Sequence, residues 1–258
     1  MTLYYRDPAP EAEPPVVLLH GLGSTSASWQ AQMAALRAAR FRPIAVDLPG
    51  FGRSPYDGQW SPRHAAEKVQ ALLAQLGAVP AHVVGISLGG TVALSMALAA
   101  PEAVRSLTLV NTFAVLRPAG LRGWAYFALR MVVVHTLGLE AQGKAVVRRI
   151  FPRPEHAHLR AALLDEIRQA DPRAYRAAMR SLVRFDVADR LHTLTMPVLV
   201  VTGADDTTIP PATQAEMTRR IPHARHEVIP HAGHAVIADS PEAFNRTLLD
   251  FLHTLPQP

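Results

Sequence analysis

Gly85-Ile86-Ser87-Leu88-Gly89 stands between an apolar run, His82-Val83-Val84, and a run of small residues from Thr91 to Ala100. The first run reads as a buried strand and the second as a helix. The pentapeptide is then a strand-to-helix turn of the G-x-S-x-G pattern, and that context lifts it above a chance grouping of small residues. A serine on such a turn has its hydroxyl pushed clear of the backbone, with neighbouring N–H groups aimed at one point. Side chains at the flanking glycines would collide with the packed strand and helix. Ser87 is therefore a candidate nucleophile.

Around this turn, short apolar runs alternate with helical patterns. Strands are expected at Leu3–Tyr5, Val16–Leu19, Pro43–Val46, His82–Gly85, Ser106–Val110, Val198–Thr202 and His226–Ile229. Several are continuously apolar, as in parallel sheets covered on both faces. Helices are expected near Ser28–Ala39, Pro62–Leu76, Leu88–Ala99, Ala212–Arg220 and Pro241–Leu255. Ser61-Pro62 and Ser240-Pro241 read as N-caps with proline at the first helical position. The rhythm is that of a three-layer α/β sheet. It stops between about Asn111 and Pro197, where helical periodicity continues without a convincing strand. The expected organisation is a core of residues 1–111 and 197–258, interrupted by a helical cap insertion, 112–196, over the C-terminal edge of the sheet. Within it, Leu121–Leu139 is apolar and aromatic, so Trp124, Phe127 and Met131 are candidates for lining a pocket, though a buried core helix would explain the same apolarity.

His20-Gly21-Leu22-Gly23 follows the strand at Val16–Leu19. A turn there can present a backbone N–H to the serine. Together with the N–H of Leu88, directly after Ser87, it would form an oxyanion hole. A serine also needs a base. There are twelve histidines, and His234 stands out because it follows Gly233 in the loop between the last strand and the last helix, with His231 close by. His20, at the oxyanion turn, suits a structural hydrogen bond. The base needs an acid to hold its tautomer and stabilise the imidazolium. In Gly203-Ala204-Asp205-Asp206, Asp206 is the choice and Asp205 the competitor. Asn111, after the preceding strand, is an amide and offers no carboxylate in their place. Asp47, within Asp47-Leu48-Pro49-Gly50, reads as a turn-fixing residue. The order Ser87, Asp206, His234 is that of α/β-hydrolases and not of the two common serine-protease folds.

The chain resembles α/β-hydrolase-fold serine hydrolases of the esterase and 3-oxoadipate enol-lactonase-like group. The matching pieces are His20-Gly21-Leu22-Gly23, Asp47-x-x-Gly50-x-Gly52-x-Ser54, Gly85-x-Ser87-x-Gly89-Gly90, Gly203-x-x-Asp206-x-x-x-Pro210 and Gly233-His234. The resemblance implies Ser87 as nucleophile, Asp206 as acid, His234 as base, and Leu22 and Leu88 as oxyanion N–H donors. Serine at position 87, where some relatives carry aspartate, argues against haloalkane dehalogenase and epoxide hydrolase activity. The family opens with a β-hairpin ahead of the oxyanion strand. Only Leu3–Tyr5 reads as a strand in that space, so the first strand is expected to be missing or the start truncated.

Composition bounds the rest. The 258 residues are 49% hydrophobic and 18% charged, with no cysteine, so the chain is globular and disulfides, thiolate nucleophiles and Cys-ligated metals are excluded. No apolar stretch is long enough to span a bilayer, and residues 1–14 lack a signal-peptide pattern, which makes the cytoplasm the expected compartment. The net charge of +5 is uneven: Thr112 to Arg190 carries 14 basic and 7 acidic residues. That excess is either a solvated face or a surface that steers anionic substrates or touches a membrane. The expected activity is carboxylic ester hydrolysis of the carboxylesterase kind through an acyl-enzyme. A lactonase or a C–C bond hydrolase of a ring-cleavage pathway is the alternative, and a non-catalytic ligand-binding relative the remote one. No metal or organic cofactor is expected. The expected partners are a small-molecule ester and, as an assembly to test, a second copy of the chain. No nucleic-acid partner and no integral membrane segment are expected.

Overall fold

The computed structural model describes residues 2–116 and 120–256. Seven strands, β1 (Tyr5–Arg6), β2 (Pro15–Leu19), β3 (Arg42–Val46), β4 (Ala81–Ile86), β5 (Val104–Val110), β6 (Val198–Gly203) and β7 (Arg225–Ile229), form one sheet in the order β1-β3-β2-β4-β5-β6-β7. Only β1 runs antiparallel, pairing Tyr5 with Val46. All seven strands expected from the sequence are present. The first begins later than expected, because ladder pairing with β3 starts at Tyr5. Among the described residues one strand precedes β2.

Side chains of the inner strands alternate between two apolar cores, as a period of two requires. Val17, Leu19, Val83, Leu107, Leu109 and Val200 face one core. Val16, Leu18, Val84, Val110, Leu199 and Val201 face the other. The first core is covered by α2 (Pro62–Gln75), α3 (Leu88–Ala99) and α8 (Pro211–Arg219), and the second by α1 (Gln30–Ala38), the short α9 (Val236–Asp239) and α10 (Pro241–His253). Each face thus buries a hydrophobic layer and produces the three-layer architecture.

Local rules explain most boundaries and two departures. Ser61 accepts a hydrogen bond from the His64 N–H at 3.0 Å and caps α2 as expected. The helix expected from Ser28 begins at Gln30, because Thr25 caps a tighter 3₁₀ turn over Ser26–Trp29. Ser240 makes no side-chain cap for α10; it closes the preceding turn instead, its N–H donating to Val236 O at 3.1 Å.

Between β5 and β6 lie α4 (Gly120–Thr136), α5 (Gly138–Ile150), α6 (Ala157–Gln169) and α7 (Pro172–Leu182). A bridge between Val115 and Asp186 brings the two ends of this insertion together. Helices α5 and α6 approach closely at Gly143, where a Cβ would meet Leu164 at 2.8 Å. The apolar helix α4 divides its faces. Val134 is buried and Phe127 and Met131 pack against the core, whereas Leu121, Trp124, Leu129 and Val132 are exposed. Among the described residues no helix is long and apolar enough to cross a membrane.

The chain winds one way from β2 to β3 and then returns to place β4 on the other side of β2. This reversal is a topological switch point, and crevices form outside the carboxyl ends of the strands there. The turn after β2 carries His20 to Gly23 and the turn after β4 carries Ser87.

Candidate active site

Ser87 has φ 52 and ψ −114, a strained conformation for a residue with a side chain. Its surroundings hold it there. The Ser87 N–H donates to Val110 O at 2.9 Å, and the Thr112 hydroxyl donates to Ser87 O at 2.7 Å. The flanking glycines are required by contact. A Cβ on Gly89 would run into the carbonyls of Leu19 and His20, and one on Gly85 into the backbone of Gly89 and Gly90. The helix α3 can therefore start directly against β2 and β4, and the Leu88 N–H lies among its first donors, which have no intrahelical acceptor.

The turn after β2 passes beside this serine: a Cβ built on Gly21 would lie 3.6 Å from Ser87 Cβ. His20 is buried and fixes the turn. Its Nδ1 meets Gly21 O at 2.8 Å and its Nε2 accepts from the Leu48 N–H at 2.9 Å. Those partners fix the neutral Nδ1–H tautomer, and burial holds its pKa below the usual histidine value. Asp47 fixes the neighbouring turn, accepting from the N–H groups of Ser26 at 2.6 Å and Arg53 at 2.9 Å. Both residues have the structural roles the sequence suggests.

His234 lies on the loop between β7 and α9. Its Nδ1 is 2.9 Å from Asp206 Oδ2, and both side chains are buried. Asp206 Oδ1 accepts from the N–H groups of Thr208 at 2.7 Å and Ile209 at 2.9 Å. A carboxylate facing Nδ1 places the proton there and leaves Nε2 as an acceptor. Asp205 points away, 56% exposed, and pairs with Arg153 at 3.2 Å. His231 is exposed, with its carbonyl accepting from Arg153 at 2.8 Å.

Asn111 ties these loops together, a role its position at a strand end could have signalled. It adopts a left-handed φ of 43, which asparagine tolerates better than most residues. Its Nδ2 donates to the carbonyls of Gly233 at 2.9 Å and His234 at 2.6 Å. Its Oδ1 accepts from the Gly203 N–H at 2.8 Å. One side chain thus joins the end of β5 to the acid loop and the histidine loop. Asn111→Ala leaves two buried backbone groups and one part-buried one without this partner, at ~1–3 kcal/mol for each buried group where no water replaces it. We expect a loss of a few kcal/mol in urea denaturation together with a fall in catalytic rate. An unchanged midpoint would show that the loops hold without it.

Ser87, His234, Gly21 and Leu22 line one cavity of about 960 Å³. Its other wall comes from the insertion, including Phe127, Arg130, Arg149 and Tyr175. Of the three residues proposed from sequence, Phe127 lines it, while Trp124 is 52% exposed and Met131 packs against the core. Helix geometry explains this correction. Gly123, Tyr126, Phe127 and Arg130 form the lining stripe at i, i+3, i+4 and i+7, and at about 100° per residue Met131 and Trp124 fall roughly 40° and 60° beyond its Phe127 edge. Glu166 of α6 crosses to the turn after β2. Its Oε2 accepts from Ser24 Oγ and from the Thr25 N–H, both at 2.7 Å, and burial raises its pKa above the usual carboxylate value.

The fold, the switch-point turns and the cavity are those of a hydrolase, and the Alpha/beta hydrolase family matches residues 16–247. The chain belongs to that family. A protein of Variovorax paradoxus (strain S110), provisionally named carbamate hydrolase RutD, is 32% identical over 265 residues, covering 100% of this chain and 98% of its own. Among solved structures, a thermophilic esterase from Thermogutta terrifontis, with malate bound, has a TM-score of 0.86 at 28% identity, covering 98% of this chain and 93% of that one. The enol-lactonase from Burkholderia xenovorans LB400 has a TM-score of 0.89 at 25% identity, covering 97% and 96%.

Proposed function

We propose that this hydrolase cleaves carboxylic esters through an acyl-enzyme on Ser87. The observation that carries the reading is the convergence on one cavity of a strained Ser87 and a His234 whose Nδ1 is held by Asp206. In this mechanism His234 Nε2 takes the Ser87 proton as Oγ attacks the ester carbonyl. The hydrogen bond from Ser87 Oγ to His234 Nε2 that this step needs is of the kind that forms or tightens when substrate binds. Negative charge develops on the carbonyl oxygen and is met by the N–H groups of Leu22 and Leu88, each such donor contributing on the order of 10²–10³ in rate. The positive end of α3 adds to the same stabilisation. His234 then protonates the leaving alcohol, and a water activated in the same way releases the acid. The insertion 112–196 serves as a cap over the substrate.

The enol-lactonase likeness supports a second reading, in which the ester is cyclic and the alcohol stays tethered after ring opening. The names of the RutD relatives add carbamates to the substrates worth testing. The discriminating experiment is a panel of p-nitrophenyl esters beside an enol-lactone, a dienoate and a carbamate, followed by a fluorophosphonate and mapping of the adduct. Turnover of an ester or lactone with the adduct on Ser87 is the expected result. An adduct on another serine with Ser87 free overturns the assignment. Absence of turnover on the whole panel would favour a non-catalytic pocket protein.

A further inference from the structure

His234, Glu166, Arg130 and Arg149 line the cavity. His234 faces Asp206 and Glu166 is committed to Ser24 and Thr25. The two arginines have no such carboxylate. Arg149 donates to the carbonyl of Thr207, and its guanidinium lies 4.9 Å from the centre of the Tyr126 ring. Arg130 lies 6.0 Å from the same ring, and its Nε and Nη2 donate to the Gln142 side-chain oxygen, with that amide oriented to suit its partners, at 2.7 and 2.8 Å. Neither pairs with an acid among the described residues. Other arginines of the insertion do: Arg153 with Asp205, Arg168 with Glu140 and Arg173 with Asp171. Neutral anchors therefore hold both cavity arginines in place and leave their charge uncompensated.

A guanidinium has five donors and no acceptor, and its planar edges match a carboxylate. Two guanidinium groups that no carboxylate among the described residues answers therefore line the cavity and suit an anionic group. We infer that Arg130 and Arg149 form a subsite for a carboxylate carried by the substrate away from its scissile carbonyl, so that the preferred substrates are esters or lactones bearing a carboxylate. The inference rests on the proposed ester-cleaving role of Ser87. Arg149, the more exposed of the two, meets the carboxylate at the mouth of the cavity, and Arg130 meets it further in.

The test compares p-nitrophenyl butyrate, which is neutral, with the mono-p-nitrophenyl ester of glutaric acid, which carries a carboxylate at the far end. In Arg149→Gln and Arg130→Gln, kcat/KM for the glutarate ester is expected to fall about tenfold, the scale of losing one charge-assisted hydrogen bond. The butyrate ester should change less than about threefold on the same scale. Arg149→Lys, which keeps the charge, should recover part of the loss. Added salt should slow only the glutarate ester, since screening acts on charge. If Arg130→Gln fails to fold, Arg149→Gln decides alone. A ratio of the two esters unchanged within about twofold overturns the subsite while leaving the nucleophile intact. Loss of both esters in Ser87→Ala, or turnover of neither by the parent chain, instead bears on the ester-cleaving role itself.

Discussion

Ser87→Ala is expected to lower kcat on a p-nitrophenyl ester by on the order of 10⁶, with the protein still folded. Removing the hydroxyl takes away the atom that the proposed mechanism uses to form the acyl-enzyme. In the proposed mechanism the binding and the oxyanion donors survive, and in the template triad these alone leave on the order of 10³–10⁴ over water. The backbone around Ser87 does not depend on its hydroxyl. It is held by the Val110 carbonyl, by the Thr112 hydroxyl and by the close approach at Gly85 and Gly89. The melting temperature should therefore stay within a few degrees, or rise if alanine relieves some of the crowding. Stopped kinetics, thermal melting and loss of the fluorophosphonate adduct check the three parts. Activity within tenfold of the parent would mean that another nucleophile carries the reaction.

The strands were legible because each inner strand is buried on both faces, so its residues form a continuous apolar run that turn residues punctuate. β1 was the least legible: it has two residues, Tyr5–Arg6, and only the ladder with β3 defines it. The site turns were legible for a related reason. Gly85, Gly89 and Gly203 mark places where backbones touch, and such contacts leave the sequence little choice. The strand-end position of Asn111 marks it as a loop residue near the site, but its partners and those of Thr112 were not legible, because their work is done on backbone groups of Gly203, Gly233, His234 and Ser87, up to 123 residues away. Nothing local in the sequence announces a partner at that distance. The insertion was legible as helical but not in its faces. Apolar periodicity in Leu121–Leu139 fits several stripes equally well, and only the position of α4 over the cavity selects Gly123, Tyr126, Phe127 and Arg130. The basic excess of the insertion divides in the same way. Surface carboxylates answer several of its arginines, and the fold sets Arg130 and Arg149 on the cavity lining, where they meet none among the described residues.

Asp206→Asn is expected to lower kcat by on the order of 10⁴ while barely changing the fold. The geometry shows why an isosteric change should be so damaging. Asp206 Oδ1 takes the N–H groups of Thr208 and Ile209, and Oδ2 takes His234 Nδ1. An asparagine has one oxygen for these two duties. Two backbone donors outweigh one ring nitrogen, so the amide oxygen goes to Thr208 and Ile209 and the NH₂ group turns to His234. A donor facing Nδ1 selects the imidazole with its proton on Nε2, which is the nitrogen that must accept from Ser87. The base is then present, correctly placed and in the wrong tautomer. Substrate binding does not use this contact, so KM should change far less than kcat. Asp205→Asn supplies the control, because that carboxylate is 56% exposed and its partner Arg153 is 41% exposed, and such a pair contributes only ~0–1 kcal/mol. The measurements are kcat and KM on one ester for both variants, with urea midpoints for each. A larger loss from Asp205→Asn, or an Asp206→Asn enzyme within tenfold of the parent, would show that His234 does not depend on Asp206 for its protonation state.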